Sequence, residues 1–415
     1  MRAVKSAYLF LLAMLFSFSI AVAQQPVPSS GTQQSTKQEE DPYVVYQELR
    51  GDLHVHSSTG SFDAKSCQGT CKVFSVAEQL SEARAAGLDY VAITEHDLNP
   101  NDPNSKMSKE EWEQVLIAVA RENSGGFIAL AGYEWTSSQK SCFPDAAQDD
   151  YNHKIVILPP AAKDICDSLT CKTPDELAIF VHGKGGVIIT PHPWRVLLLD
   201  ANGSVTGYIS RDYFAYSENG PGDVMIGAEI GPPFQPFSWP GLLCDKPSEA
   251  FQSRTVTIEE WADALTSGKR LAAISSSDRH DSWTPFGSRT TAVFVKDKTP
   301  EGIIEALLAR RTHAANLAPF NVRFSVDRHV VGSSVTKAKE AVIKLIAKPE
   351  EFDILEVWLG KTMIQQLSSL PTDGKVVLPL EKVEKGPLWV KVIGKESDPV
   401  TQTPRTTITS PIWLK

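Results

Sequence analysis

The sequence has no block of like charges and no surplus of basic residues. Its 41 lysines and arginines are outnumbered by 50 aspartates and glutamates, which gives a formal net charge of -9 at pH 7. Proteins that wrap nucleic acid or lie on anionic membranes use clustered positive charge. The charge balance therefore argues against both kinds of partner. Hydrophobic residues make up 42% of the chain, which is ordinary for a folded protein.

Long apolar runs are also absent, except near the amino terminus. Arg2 and Lys5 precede an apolar stretch over residues 8–20, and AVA at 21–23 follows as a small-x-small cleavage site. This arrangement predicts a signal peptide over residues 1–23. An uncleaved anchor is the alternative, but the run is short for a membrane span. No cysteine lies directly after the apolar stretch, which argues against a lipoprotein. We expect a periplasmic or secreted protein with no membrane contact after cleavage.

Cysteines are few, but their number is even. They form two close pairs and two single residues: Cys67 and Cys71, Cys166 and Cys171, Cys142 and Cys244. An oxidising compartment favours disulfides, and two local bridges with one long one is the simplest arrangement. Other pairings stay open, and a CxxxC pair could instead bind metal. Zinc-ribbon spacing is missing from the second pair, so disulfides are favoured.

The chain changes character after the signal segment. Residues 24–42 are rich in Gln, Ser, Pro and Glu without apolar periodicity, which predicts a flexible leader. From residue 43, short apolar runs alternate with helical patterns, as in βα units with a parallel sheet. Capping-box pairs mark four helix starts: Ser75 with Glu78, Ser108 with Glu111, Thr173 with Glu176, and Thr257 with Glu260. The seven runs predicted as strands are 44–53, 90–94, 127–132, 153–158, 186–190, 224–230 and 271–275.

Another change occurs near Asn316, where the helical pattern over residues 303–311 has ended. Five strand-like runs follow, separated by turn residues, at 322–326, 342–346, 354–359, 375–380 and 388–392. Regular short strands without helices predict a small β-sandwich. We therefore expect an α/β barrel over residues 43–317 followed by a β-sandwich module over residues 318–415.

Histidines and carboxylates fall at the ends of the predicted barrel strands. They are His54 and His56 after the first strand, His96 after the second, Glu134 after the third, His153 at the start of the fourth, His192 after the fifth, and Asp278 and His280 after the seventh. Strand ends at one face of a βα barrel converge on one pocket. Several imidazoles with carboxylates that can bridge two ions suit a cluster of divalent metals. Any one of these histidines could be an ordinary polar residue, but six of the nine share this placement.

Short motifs surround these residues: GDLHVHS at 51–57, ITEHD at 93–97, GYE at 132–134, TPHP at 190–193 and SDRH at 277–280. Together they resemble the PHP (polymerase and histidinol phosphatase) superfamily. ALLARRT at 306–312 and a β module ending in SPIW at 410–413 resemble its carbaryl-hydrolase-type branch. The resemblance covers roughly residues 48–415. It implies a distorted (β/α)7 barrel that holds two or three metal ions.

The resemblance also implies which residues hold each ion. The first would take His54, His56, Glu134 and Asp278, and the second would share Glu134 and add His153 and His192. A third would use His96, His280 and Asp63, which lies in a loop slightly longer than is usual in the family. Mixed imidazole and carboxylate ligands suit zinc, manganese or iron.

Residues for the substrate are less clearly marked. Arg195 follows the His192 motif and Arg279 lies inside the Asp278 motif, so either could hold an anion or form a surface ion pair. Further residues near the ligands could line the pocket or support it: Trp135, Trp194, Trp283, Glu229, Glu95 and Asp97. His182, His313 and His329 fall outside the pattern. His313 is expected to follow a helix.

The resemblance and the filled ligand positions favour an exported metal-dependent hydrolase for a small-molecule ester. Its catalytic candidates are Glu134, Asp278, His192, Arg195 and Arg279. A phosphoester is slightly preferred, and a carboxyl ester, carbamate or amide is the alternative. A non-catalytic, metal-stabilised binding protein is a further alternative, which the complete ligand set disfavours. The sequence has no G-x-S-x-G segment, which argues against serine chemistry, and the oligomeric state is left open.

Overall fold

The structure is a computed structural model that describes most of the chain after residue 40. The described ranges are 41–65, 71–99, 102–123, 125–136, 153–193, 195–199, 205–209, 220–230, 251–254, 257–348, 350–397 and 403–415. Within them, the side chains of 99, 102–105, 195–199, 205–209, 220–221, 251–254 and 257 are not described. The predicted signal peptide, nearly all of the predicted leader, Cys67, Cys142 and Cys244 lie outside these ranges.

Five α-helices and 24 strands are described. The helices are α1 (Val76–Ala85), α2 (Lys109–Asn123), α3 (Pro174–Lys184), α4 (Thr257–Thr266) and α5 (Pro300–Leu308), with a short 3-10 helix at Gly220–Val224. The strands are β1 (Gln47–Asp52), β2 (Tyr90–His96), β3 (Leu98–Asn99), β4 (Asp102–Lys106), β5 (Ile128–Thr136), β6 (His153–Leu158), β7 (Val187–Thr190), β8 (Arg195–Leu199), β9 (Val205–Ile209), β10 (Met225–Glu229), β11 (Phe251–Arg254), β12 (Ala272–Ile274), β13 (Arg289–Val295), β14 (Thr312–Asn316), β15 (Asn321–Val326), β16 (His329–Val330), β17 (Ser334–Val335), β18 (Glu340–Ile346), β19 (Phe352–Leu359), β20 (Thr362–Leu367), β21 (Lys375–Pro379), β22 (Gly386–Ser397), β23 (Pro404–Thr409) and β24 (Ile412–Leu414).

Helix starts follow the capping residues that the sequence marks. Ser75 and Thr173 form capping boxes with the glutamates three residues later, so the first backbone N–H groups of α1 and α3 have partners. Ser108 and Glu111 make the same reciprocal hydrogen bonds before α2. These three predictions are confirmed. Thr257, the fourth predicted cap, is instead the first residue of α4.

All seven predicted barrel strands exist and lie side by side. Their order in the sheet is β12-β10-β7-β6-β5-β2-β1, so each strand neighbours the next one predicted along the chain. The pairs β1·β2, β2·β5, β7·β10 and β10·β12 are parallel, whereas β6 runs antiparallel to both neighbours. The α/β class is therefore confirmed, with a mixed rather than wholly parallel sheet. A closed (β/α)7 barrel stays a prediction.

The same sheet continues into the carboxyl-terminal part of the chain. After β1 it runs through β13, β14, β23, β22, β19 and β20. A second, four-stranded sheet, β16-β15-β18-β21, shares an apolar core with it, which includes Phe324, Ile343, Leu355 and Val390. This is the two-layered packing expected of a sandwich. Asp41–Lys415 form one compact unit, and a domain boundary at residue 317 stays a prediction.

One disulfide has both of its cysteines within the described ranges. Cys166 and Cys171 are bonded, which confirms one of the predicted bridges. Cys71 is also in a disulfide, whose partner lies outside the described ranges. None of the described helices has the length and apolar character needed to span a membrane.

Candidate metal centre

Hydrogen bonds join the loop after β1 to the loop after β12. The Asp52 carboxylate at the end of β1 accepts hydrogen bonds from the backbone N–H groups of His54 and Ser277, each at 3.1 Å. The His56 N–H donates to the Arg279 carbonyl at 2.8 Å. These contacts bring the HxH motif beside the Asp278 loop, although the two lie far apart in the sequence.

The first cluster of ligand atoms lies between these two loops. His54 Nε2 and His56 Nε2 are 3.0 Å apart. Glu134 Oε2 lies 3.3 and 3.2 Å from these nitrogens. Asp278 Oδ1 lies 3.1 and 3.2 Å from them. Four candidate ligand atoms thus surround one point.

Glu134 also faces a second set of histidines. Its other oxygen, Oε1, lies 2.7 Å from His153 Nδ1 and 3.3 Å from His192 Nε2. The carboxylate is fully buried between the two sets. A carboxylate with one oxygen toward each set has the placement of a bridging ligand.

A third set is built around Asp63. Its Oδ2 lies 3.1 Å from His96 Nε2 and 3.1 Å from His280 Nε2. The His56 ring stacks against those of His280 and His96, with centroids 4.2 and 4.6 Å apart. The third set is therefore directly beside the first.

Three groups in the described residues could hold metal ions, each with its ligand atoms within 4.8 Å of one another: His54, His56, Glu134 and Asp278; His56, Asp63, His96 and His280; and His96, Glu134 and His153. The first has the composition that the family resemblance implies. The second adds His56 to the predicted third set. In the last, His96 stands where the sequence places His192. The structure brings all nine predicted ligands together, and the division among ions stays a prediction.

Hydrogen bonds indicate which ring nitrogen several of these histidines present to the other ligand atoms. The Nδ1 atoms of three histidines face acceptors outside the set of ligand atoms, all within 2.9 Å: Glu229 for His54, Ser61 for His56 and the Asp278 carbonyl for His280. His96 Nδ1 instead lies between Thr136 Oγ1 at 2.9 Å and Glu134 Oε2 at 3.2 Å. In a neutral imidazole, an Nδ1–H donated outward leaves Nε2 without a hydrogen. Bare Nε2 atoms then point at the carboxylates.

This arrangement requires positive charge among the ligand atoms, from protons or from a metal ion. Neutral His54 and His56 rings would place two lone pairs 3.0 Å apart, beside oxygens that are also acceptors. His280 Nε2 is buried and makes no hydrogen bond, although Asp63 Oδ2 is 3.1 Å away. Converging acceptors repel one another unless a positive charge lies between them. Imidazole and carboxylate donors are those of zinc, manganese and iron sites.

The electrostatics show the same demand for positive charge. Burial disfavours the protonated form of His56, but Asp278 and Glu134 outweigh it and raise its pKa to about 10. Burial would raise the pKa of Glu134, but the neighbouring His96, His153 and His54 lower it well below its usual range. Without metal, protons bound to the histidines supply this positive charge, and a divalent ion would compete with these protons.

Two ligand positions have an uncommon backbone. His192 and Asp278 have φ values of 27° and 52°, in the region that favours glycine. Such conformations cost about 1 kcal/mol or more per residue and persist where the surroundings enforce them. Here they turn both side chains toward the cluster.

The predicted substrate residues are placed less favourably. The guanidinium of Arg279 is held by Gln79 Oε1 at 2.8 Å and the Thr284 carbonyl, and lies over the rings of Phe74 and Phe286. These contacts favour a structural role for Arg279. The Arg195 side chain and Trp194 lie outside the described parts of the structure.

The other two tryptophans predicted near the site, Trp135 and Trp283, differ in their exposure to solvent. Trp135 is fully buried and donates to the Cys171 carbonyl, so it packs beneath the site. Trp283 is 67% exposed three residues after His280, where it could meet a substrate.

The supporting residues are only partly those that the sequence indicates. Glu229 reaches the site as predicted and holds His54. Asp97 is also buried, accepts hydrogen bonds from the backbone N–H groups of Thr136 and Ser168, and has its pKa raised by burial to about 8. Ser61 and Thr136 were missed, because a hydroxyl in a loop or at a strand end has no distinguishing spacing.

Comparisons with known proteins give little beyond this geometry. No protein-family model and no curated protein matched the chain. Among solved structures, the chain is similar to a two-domain protein from Bacteroides vulgatus that contains a predicted PHP-like metal-dependent phosphoesterase. The match has 16% sequence identity and a TM-score of 0.41, and covers 89% of this chain and 96% of the other. At that identity and TM-score, the chemistry of the site rests on its own side chains.

Proposed function

We propose that the chain is a metal-dependent hydrolase of the PHP superfamily. The observation that carries the proposal is the convergence of bare histidine nitrogens and carboxylate oxygens on shared points. Divalent ions bound there would supply Lewis-acid activation of water and of an ester oxygen. Glu134 would hold two ions in register, and His54, His56 and Asp278 would anchor the first.

Exposure favours a catalytic centre over a purely structural one. His54 and Glu134 are at most 1% exposed, whereas the side chains of Asp278, His280, His153 and His192 are 17–27% exposed. The cluster is therefore buried at His54 and Glu134 and partly accessible to solvent at the other four side chains. Catalytic metal sites keep such an open side, and structural sites are closed.

The substrate proposed is a small-molecule phosphoester, with a carboxyl ester, carbamate or amide as the alternative. Membership of the carbaryl-hydrolase-type branch, suggested by residues 306–312 and 410–413, keeps that alternative open. Arg195 remains the candidate for holding an anionic group.

The first test is metal content and turnover together. The mature protein is reconstituted with zinc, manganese or iron, and then offered a p-nitrophenyl phosphomonoester, phosphodiester and carboxyl ester. Two or three bound ions with turnover of one ester class would support the proposal. His54→Ala and Asp278→Ala should lose both metal and activity, whereas His182→Ala, exposed on α3, should lose neither. A protein that binds no metal would refute the proposal.

A metal-stabilised binding protein is the second candidate, in which the two-sheet module would bind a partner and the metal ions would only stabilise the fold. Full metal occupancy with no turnover of any of the three esters would favour it.

We also propose export to the periplasm or beyond, on the strength of the amino-terminal segment and the Cys166–Cys171 disulfide. Amino-terminal sequencing of protein recovered outside the cytoplasm should begin at Gln24. A start at Met1 in that fraction would contradict cleavage.

A further inference from the structure

The Ser61 hydroxyl lies at the centre of three contacts. Its Oγ is 2.7 Å from His56 Nδ1, 2.6 Å from Glu95 Oε2 and 3.1 Å from the backbone nitrogen of His96. Ser61 and Glu95 are fully buried, so water does not compete for these contacts.

The direction of each hydrogen bond follows from the chemistry of the partners. Glu95 Oε2 also receives the backbone N–H groups of Ser57 and Ser61, each at 3.0 Å, so it acts as an acceptor. The hydroxyl has one hydrogen, which it donates to Glu95. Its lone pairs then accept from the His96 N–H and from His56 Nδ1–H. The chain of donors thus fixes a hydrogen on His56 Nδ1 and leaves Nε2 for the metal.

The backbone holds this arrangement closely. A Cβ at Gly60 would lie 2.7 Å from Glu95 Cγ, nearer than any side chain tolerates. The loop 57–61 therefore wraps directly around the Glu95 carboxylate, which also receives the Ser57 hydroxyl.

The two histidines of the HxH motif are supported in different ways. His54 Nδ1 meets the Glu229 carboxylate directly at 2.9 Å, whereas His56 reaches a carboxylate only through Ser61. Partners of this kind orient metal-bound imidazoles and raise their basicity.

We propose that Ser61 and Glu95 form a hydroxyl–carboxylate relay that positions His56 as a metal ligand through Nε2. The inference rests on the proposed metal centre. Ser61 and Glu95 are positioning residues, because neither faces the ligand cluster itself. The relay also ties His56 to the His96 backbone, and so links the first set of ligands to the third.

The test compares two serines that contact the same carboxylate. Ser61→Ala removes the relay, and Ser57→Ala removes a hydrogen bond to Glu95 but leaves the contact with His56 in place. Zinc affinity is measured by chelator competition on the full mature protein, with thermal melting to show that each variant is folded. We expect Ser61→Ala to weaken zinc binding by about 10- to 100-fold, and Ser57→Ala to stay close to wild type. Equal losses of zinc affinity in the two variants would mean that Glu95 only stabilises the loop 57–61, and would overturn the relay.

A spectroscopic readout separates positioning from general destabilisation. In zinc-loaded protein labelled with ¹⁵N-histidine, the wild-type His56 Nδ1–H should give a slowly exchanging, downfield proton resonance that Glu95→Gln shifts and Ser61→Ala abolishes. Unchanged zinc affinity and an unchanged resonance in Ser61→Ala would overturn the relay alone. Failure of the wild type to bind zinc would overturn the metal centre, and the relay with it.

Discussion

Glu229 supports two ligand-bearing segments at once. Its Oε1 faces His54 Nδ1 at 2.9 Å, and its Oε2 accepts the His192 N–H at 2.8 Å. An amide in its place keeps the shape but turns a donor toward one of these N–H groups. We expect Glu229→Gln to lower zinc affinity by about tenfold or more, measured by chelator competition. Glu259→Gln, exposed on α4, makes the same charge change and should have no effect. Equal affinities in the two variants would contradict this role.

His313 should make stability depend on pH. It is buried in β14, its Nε2 has no hydrogen-bond partner, and burial lowers its pKa to about 3. Below about pH 6.5, His313 therefore binds a proton in the unfolded chain but not in the folded chain, so stability falls as pH falls. Between pH 7.5 and 5.5 this group should cost the wild type about 1.4 kcal/mol.

Urea unfolding of His313→Gln at both pH values tests the sign. Protonation of the metal-site histidines affects wild type and variant alike, so the difference between them isolates His313. The variant should lose about 1.4 kcal/mol less than the wild type over this interval. His329→Gln, at an exposed position, should retain the wild-type slope. A slope unchanged in His313→Gln would refute the assignment.

Single residues were predictable where they belong to motifs. Eight of the nine ligand candidates lie at or beside strand ends, and the structure places them together because neighbouring strands end at a common edge, where Asp63 joins them from a loop. Ser61 could not be predicted, since its role depends on a loop that wraps around Glu95. His313 follows α5, as expected, but lies within a strand that the sequence did not indicate. Its alanine neighbours have weak strand propensity, and pairing with β13 and β23 decides the outcome.

Close strand packing explains why Gly51 precedes the HxH motif. A Cβ at Gly51 would lie 2.3 Å from the Tyr90 carbonyl of β2. We expect Gly51→Ala to destabilise the protein by about 1–3 kcal/mol, because β1 would have to move away from β2. Gly183→Ala on α3, where no atom lies within 4 Å, should be neutral or stabilising by up to about 1 kcal/mol.

Urea denaturation of these two variants gives the free energies directly. Zinc affinity adds a second measure, since a displaced β1 would carry His54 and His56 with it. Gly51→Ala with wild-type stability would mean that the two strands tolerate a wider spacing.

Helices and strands of the first half were predictable because local signals and burial agree. Capping boxes mark α1 and α3, and apolar runs mark the seven neighbouring strands. The antiparallel direction of β6 could not be predicted, since direction depends on how the connections cross the sheet. The strand β13 was missed, although RTTAVFV is rich in β-branched residues.

At the scale of the whole molecule, the sheet has no break at the expected boundary. β14 pairs with β13 on one side and with β23 on the other. The Ser410 hydroxyl accepts from the Ala273 N–H at 2.9 Å and contacts the Thr312 hydroxyl at 2.7 Å. Trp261 on α4 packs edge-on against Trp389 of β22, with centroids 5.2 Å apart. The first part of the chain therefore shares its core with the last.

A chain that ends at residue 317 should consequently fail to fold. Loss of residues 318–415 would expose the hydrogen-bonding edge of β14 and uncover Trp261, which now has no solvent exposure. We expect this fragment to aggregate or to melt without cooperativity, as judged by circular dichroism and size-exclusion chromatography. Residues 318–415 supplied in trans should restore a cooperative melt, because they return β22 and β23 to the sheet. A fragment that melts cooperatively alone and binds zinc like the full chain would show that the metal centre is stable without the shared core.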